Sequence, residues 1–132
     1  MITRNQRRRA EEFLALHHGP KLLILPNAWD VASARLYELE GFKAIATTSA
    51  GISSTLGYPD GQRISLGEMV EVVRRIADHV SVPVTADLEA GYAADPEGVV
   101  RTVEAALAAG VVGVNLEDST GDPSAPLFDE GL

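Results

Sequence analysis

A chain of 132 residues, 45% hydrophobic and 23% charged, is long enough to bury a core and too apolar for a disordered tail. Its formal net charge of −8 sets it against phosphate backbones, and so against a nucleic-acid partner, yet leaves room for an anionic substrate beside a metal ion. The lack of cysteine excludes disulfides, thiolate metal sites and cysteine nucleophiles and suits a cytoplasmic protein, and no run of about 18 apolar residues offers a membrane span.

Along the chain, Arg4 and the run Arg7-Arg8-Arg9 are followed at once by Glu11 and Glu12, the pattern of a solvated face on an N-terminal helix. Leu22-Leu23-Ile24-Leu25 is a first strand-like run, ending at Pro26-Asn27. Asp30 then offers an N-cap to a helix through Leu39, with Gly41 as its stop. A second run, Ala44-Ile45-Ala46, ends in Thr47-Thr48-Ser49, and a glycine-bearing loop from Gly51 to Gly61 leads to a helix from Ser65 to His79. Ser65 with Glu68 fits a capping box, and Met69, Val72, Val73, Ile76 and Val80 form one apolar face.

The third run, Val82 to Ala86, ends in Asp87-Leu88-Glu89. Asp95-Pro96 starts a helix to about Ala109, stopped by Gly110. A fourth run, Val111 to Leu116, ends in Glu117-Asp118, after which the chain turns polar and proline-rich. Repeats of an apolar strand followed by a helix predict a parallel α/β sheet, either a doubly wound open sheet or a segment of a barrel.

The unusual polar residues stand at the C-terminal ends of the strands, where parallel α/β proteins place their ligands. Asp87 and Glu89, two apart on one strand, are expected to project from one face, with Glu117 reaching the same space from the next strand. Three converging carboxylates suit Mg²⁺ or Mn²⁺ with waters completing the octahedron. Asp118 alternates to the opposite face. Thr48, Ser49, Ala50 and Gly51 are small enough to let backbone N–H groups approach an anionic oxygen. Asp60, in Gly57-Tyr58-Pro59-Asp60-Gly61, fits a turn on local grounds. Trp29 and Tyr37 suit packing, and His17, His18 and His79 lie away from the strand tips.

Four segments in order resemble the isocitrate lyase/phosphoenolpyruvate mutase superfamily. They are Pro26-Asn27-Ala28-Trp29-Asp30; Thr47 to Gly51 with Leu56 to Asp60; Asp87-Leu88-Glu89-Ala90-Gly91-Tyr92; and Asn115-Leu116-Glu117-Asp118-Ser119. The resemblance, from about Leu22 to Asp118, implies strands 1–4 of a (β/α)8 TIM barrel, with residues 1–132 as one partial domain preceded by an N-terminal helix. It implies a homo-oligomer that binds Mg²⁺ and a small 2-oxo or 2-hydroxy acid, and breaks or rearranges a C–C or P–C bond through an enolate.

By the same resemblance Asp87 is the innermost metal carboxylate, Glu89 and Glu117 orient metal-bound waters, Thr48, Ser49 and Ala50 bind substrate, and Asp60 becomes a catalytic carboxylate. Glu89 stands where many members carry aspartate. The lyase branch's loop with a catalytic cysteine is replaced by Thr120-Gly121-Asp122-Pro123, which argues against a cysteine-dependent isocitrate or methylisocitrate lyase. The family's arginine and histidine from later strands have no counterpart, so the alternative is a non-catalytic half-barrel that serves binding or assembly.

Overall fold

The computed structural model describes residues 2–122 and 124–128. Four short strands, β1 (Asn27–Ala28), β2 (Ile45–Thr47), β3 (Val84–Asp87) and β4 (Gly113–Asn115), form one parallel sheet in the order β1-β2-β3-β4. The register pairs Asn27 with Ala46, Ile45 with Val84, and Asp87 with Asn115. The sheet is open: it is the parallel α/β arrangement of the first half of a (β/α)8 barrel, with β1 and β4 as its edges.

Helices α2 (Val31–Leu39), α4 (Leu66–His79) and α5 (Pro96–Ala108) connect the strands and pack side by side, with α4 between the other two. Each begins where a side chain satisfies a backbone N–H that the first turn leaves unpaired. Asp30 accepts from Ser33 and Ser65 from Glu68, both in reciprocal capping boxes, and Asp95 accepts from Gly98 with Pro96 just inside the helix. Helix α4 buries Met69, Val73, Ile76 and Ala77, residues spaced three and four apart, against Ile45, Val84, Ala86 and Leu88 of the sheet region. Each large side chain so buried contributes roughly 1.5–3 kcal/mol, so α4 is the main clamp on the sheet.

An N-terminal helix, α1 (Arg4–His17), is present as expected but is not simply a solvated face. Arg8 pairs with Glu12 on the surface, whereas Arg9 turns inward and donates to the carbonyls of Ala77 (3.2 Å) and Val80 (2.7 Å). Gln6 Nε2 donates to Leu107 (2.7 Å) and Val111 (2.9 Å). These carbonyls lie at and just beyond the C-terminal turns of α4 and α5, so α1 caps the end of the sheet opposite the strand tips.

Two expectations need correction. The run Leu22 to Leu25 does not join the sheet; only Asn27 and Ala28 pair as strand, and Leu22 and Ile24 are 88% and 59% exposed. An edge strand has a ladder on one side alone, and the β2 backbone available to it is short. The glycine-bearing loop starts with a helix, α3 (Ser49–Thr55), capped by Thr48 and held by buried Ile52. Beyond β4 the chain forms an antiparallel pair, β5 (Ser119–Asp122) and β6 (Ala125–Leu127). Among the described residues no helix is long and apolar enough to cross a membrane.

Candidate active site

Asp87 closes β3 and gathers three neighbouring elements. Its N–H donates to Thr47 Oγ1 (3.0 Å), its Oδ2 accepts from the Ser49 N–H at the start of α3 (2.9 Å), and its Oδ1 accepts from the Glu89 N–H (3.2 Å). The carboxylate is therefore fixed by main-chain donors before any ligand arrives. Below it on the sheet, Thr85 Oγ1 meets Asn115 Oδ1 at 3.5 Å.

Glu89 does not sit on the strand, contrary to the two-residue spacing argument. The chain leaves β3 after Asp87, and Glu89 takes a left-handed backbone with φ 52°. Its carboxylate is turned inward, leaving the residue 5% exposed; Oε2 accepts from the Gln62 N–H (2.6 Å) and Oε1 from the Tyr92 hydroxyl (2.9 Å). Gln62 Oε1 also accepts from the Tyr92 N–H (2.7 Å). The Glu89 carbonyl accepts from Glu117 N–H at 2.7 Å, which brings the fourth strand end to the same rim.

Glu117 itself is exposed. Its carboxyl is pushed above the usual range by desolvation first and then by the charges of Asp87, Glu89, Asp60 and Asp118. Burial, the hydrogen bond to Glu89 and the surrounding carboxylates raise the Tyr92 phenol as well, so it stays protonated and donates. Ser49, Asp60, Gln62, Glu89, Glu117 and Thr120 share a cavity of about 170 Å³ in which, among the described residues, no basic side chain takes part. Among the described residues no three histidine, aspartate or glutamate side chains stand close enough to ligate one ion directly. An all-oxygen, uncompensated acidic rim of this kind still fits a small hard cation that keeps most of its waters and takes one or two carboxylates.

The remaining expected residues are placed as follows. Asp60 lies on the exposed loop over the cavity, close enough to act on Glu117, and so joins the carboxylates. Thr48 is occupied as the α3 cap, accepting from Gly51 N–H, while Ser49 lines the cavity and Ala50 is exposed beside it. The Ser49 N–H is engaged by Asp87 rather than open to an anion. Gly51 is small for packing: an added Cβ would come within 2.7 Å of Thr48 Cγ2 and 2.9 Å of Trp29 Cβ. The Asp118 carbonyl accepts from Phe128 N–H, a structural use. His17 and His79 end helices α1 and α4, away from the rim.

Thr47, Gln62 and Tyr92 were not singled out as site residues by sequence. Only the aromatic after Gly91 carried a signal. A larger groove of about 580 Å³ lies at the other end of the sheet, lined mostly by apolar residues of α1 and of the segment 19–24. It has no convergent acids, and parallel α/β proteins bind ligands at the opposite end, so the smaller acidic cavity is the candidate site.

Fold and site together define a parallel α/β protein of the barrel class, with an acidic rim at the C-terminal ends of its strands. The chain belongs to the phosphoenolpyruvate phosphomutase family, whose model matches residues 13–131. It is 41% identical over 110 residues to an uncharacterized protein of Mycobacterium tuberculosis, covering 83% of this chain and 41% of that one. A candidate lyase/mutase of Burkholderia cenocepacia J2315 superposes with a TM-score of 0.90 at 40% identity, covering 96% of this chain and 45% of the other. A 2,3-dimethylmalate lyase, a member of the PEP mutase/isocitrate lyase superfamily, gives 0.80 at 27% identity over 98% of this chain and 44% of the lyase. Other relatives are a 2-methylisocitrate lyase of Escherichia coli, a phosphonopyruvate hydrolase of a Variovorax species and an oxaloacetate acetylhydrolase solved with its product oxalate. The superfamily is thus one of lyases, mutases and hydrolases, and the chain spans about two fifths of the length of its curated relatives.

Proposed function

We propose that this chain carries the metal-binding half of a Mg²⁺-dependent enzyme that cleaves or rearranges a C–C or P–C bond in a small 2-oxo or 2-hydroxy acid. The carrying observation is the convergence of Asp60, Glu89 and Glu117 on one small cavity beside Asp87, with mutual repulsion expressed on Glu117 and no basic side chain among the described residues of the cavity wall. Asp87, already oriented by two main-chain donors, would hold the cation, and Glu89 and Glu117 would hold its waters. Bound there, Mg²⁺ (or Mn²⁺) would supply Lewis acidity toward the keto oxygen of the substrate, the chemistry an enolate-forming reaction needs.

The chain's own residues do the positioning. Ser49 binds substrate from the cavity wall, with Thr48 and Ala50 flanking it, and Asp60 brings a carboxylate over the open side of the cavity. The relatives acting on oxaloacetate and phosphonopyruvate supply the substrate class, and Thr120-Gly121-Asp122-Pro123, standing after the fourth strand in place of a cysteine-bearing loop, argues against cysteine-dependent lyase chemistry. The test is turnover of a panel of 2-oxo and 2-hydroxy acids by the complete reading frame, with and without Mg²⁺. Metal-dependent turnover lost in Asp87→Ala supports the assignment; no turnover of any of them, or turnover indifferent to Asp87, refutes it.

One observation favours a second reading, in which the half-barrel serves assembly. The β1 edge is open beside exposed Leu22 and Ile24, the kind of edge that pairs with further strands. Self-association in sedimentation together with no turnover of any 2-oxo or 2-hydroxy acid supports it, and a stable monomer with a cooperative melt does not.

A further inference from the structure

Among the described residues, three other than glycine adopt the left-handed backbone: Gln62 (φ 56°), Glu89 (φ 52°) and Tyr92 (φ 55°). All three meet in one place and bond to one another. Gln62 N–H and the Tyr92 hydroxyl each hold one oxygen of the Glu89 carboxylate, at 2.6 and 2.9 Å, and Gln62 Oε1 receives the Tyr92 N–H at 2.7 Å. Two loops take part. Gln62 lies between α3 and α4, two residues after Asp60, whereas Glu89 and Tyr92 lie between β3 and α5. Strained backbone gathered in a hydrogen-bonded set at an acidic rim points to a functional constraint on that set.

We propose that Gln62 is a positioning residue, which fixes the orientation of the Glu89 carboxylate and ties the Asp60 loop to the rim; this rests on the divalent-cation reading above. A glutamate carboxylate otherwise rotates freely about its last torsion. Here each oxygen accepts one bond from a described residue, and the lone pair left on each would be available to the cation's waters. The main chain of Gln62 must be left-handed to aim its N–H at Glu89. Glycine would do that without strain but would lose the side-chain oxygen that holds the Tyr92 backbone. The presence of glutamine at a position suited to glycine is the sign that its side chain is used. Closing the triangle also sets the distance from Asp60 to Glu89, so one residue governs two of the carboxylates.

Gln62→Gly separates the strain from the latch. In the full chain, without metal, this variant is expected to melt at or above the wild-type temperature, because the left-handed strain is gone. Its Mn²⁺ affinity, measured by calorimetric titration, is expected to fall about tenfold, the low end of the effect of removing a group that supports a metal site, because Glu89 holds the cation's waters and not the cation itself. Gln62→Met, which keeps the volume without the acceptor, is expected to lose affinity too, as is Tyr92→Phe. Wild-type Mn²⁺ affinity in Gln62→Gly and Gln62→Met overturns the proposal while leaving the divalent-cation reading intact. A parallel loss of melting temperature and affinity in both Gln62 variants assigns the residue a structural role and also overturns it. If the wild-type chain binds no Mn²⁺, the underlying reading fails and takes the proposal with it.

Discussion

Asp87→Ala in the metal-free protein separates the structural duty of this carboxylate from its proposed metal duty. The substitution removes the acceptor for two main-chain donors, Ser49 N–H at 2.9 Å and Glu89 N–H at 3.2 Å. Hydrogen bonds to a charged acceptor contribute about 1.5–3 kcal/mol each, and the low end applies at a half-buried rim, giving roughly 3 kcal/mol. Removing one of several neighbouring negative charges offsets about 1 kcal/mol of this. The net expectation is a loss of about 2 kcal/mol, or a fall of roughly 6–12 °C in melting temperature for a domain of this size. Asp87→Asn keeps one accepting oxygen and should lose about half as much. The assay is thermal and urea unfolding in a chelator, followed by circular dichroism. An Asp87→Ala protein that melts at or above wild type would mean that repulsion outweighs the hydrogen bonds, and that Asp87 does not organise the strand ends.

Two further perturbations probe the same rim. Burial and four neighbouring carboxylates raise the Glu117 pKa in the fold, so its stabilising contribution is complete below the unfolded glutamate's pKa and is lost as pH rises through the raised value. Glu117→Gln, which cannot ionise, should therefore melt above wild type at pH 7 in chelator and converge with it near about pH 4; equal melting at pH 7 would contradict the crowding. Gly51→Ala places a Cβ within 2.7 Å of Thr48 Cγ2 and 2.9 Å of Trp29 Cβ. Overpacking of this kind costs about 1–3 kcal/mol, of which roughly 1 kcal/mol is recovered as helix propensity. The urea midpoint should fall, and an unchanged one would show that α3 shifts freely away from Trp29.

Much of the frame was legible because its signals are local. Asp30, Ser65 with Glu68, and Asp95-Pro96 are side chains that satisfy the helix start next to them, so sequence placed α2, α4 and α5 closely. The apolar runs before Thr47, Asp87 and Glu117 placed three strands and their polar ends. What failed depended on partners distant in sequence. Leu22 to Leu25 reads as a strand from composition, but the ladder it needs is not supplied by β2. Ser49–Thr55 is poor in strong helix formers, and α3 forms through Thr48 and the burial of Ile52. Glu89 was assigned to the strand face because alternation assumes extended backbone, which ends at Asp87. Gln62 carries no sequence signal at all, since its role exists only through contact with a loop 27 residues away.

The most direct test of the central claim is the binding of oxalate, a planar dianion resembling the enolate of pyruvate, titrated into the protein with and without Mg²⁺. Oxalate that binds only when Mg²⁺ is present, and fails to bind Asp87→Asn under the same conditions, is the predicted result. Binding of equal strength in chelator, or binding unaffected by loss of the Asp87 charge, would contradict a divalent-cation site at these strand ends.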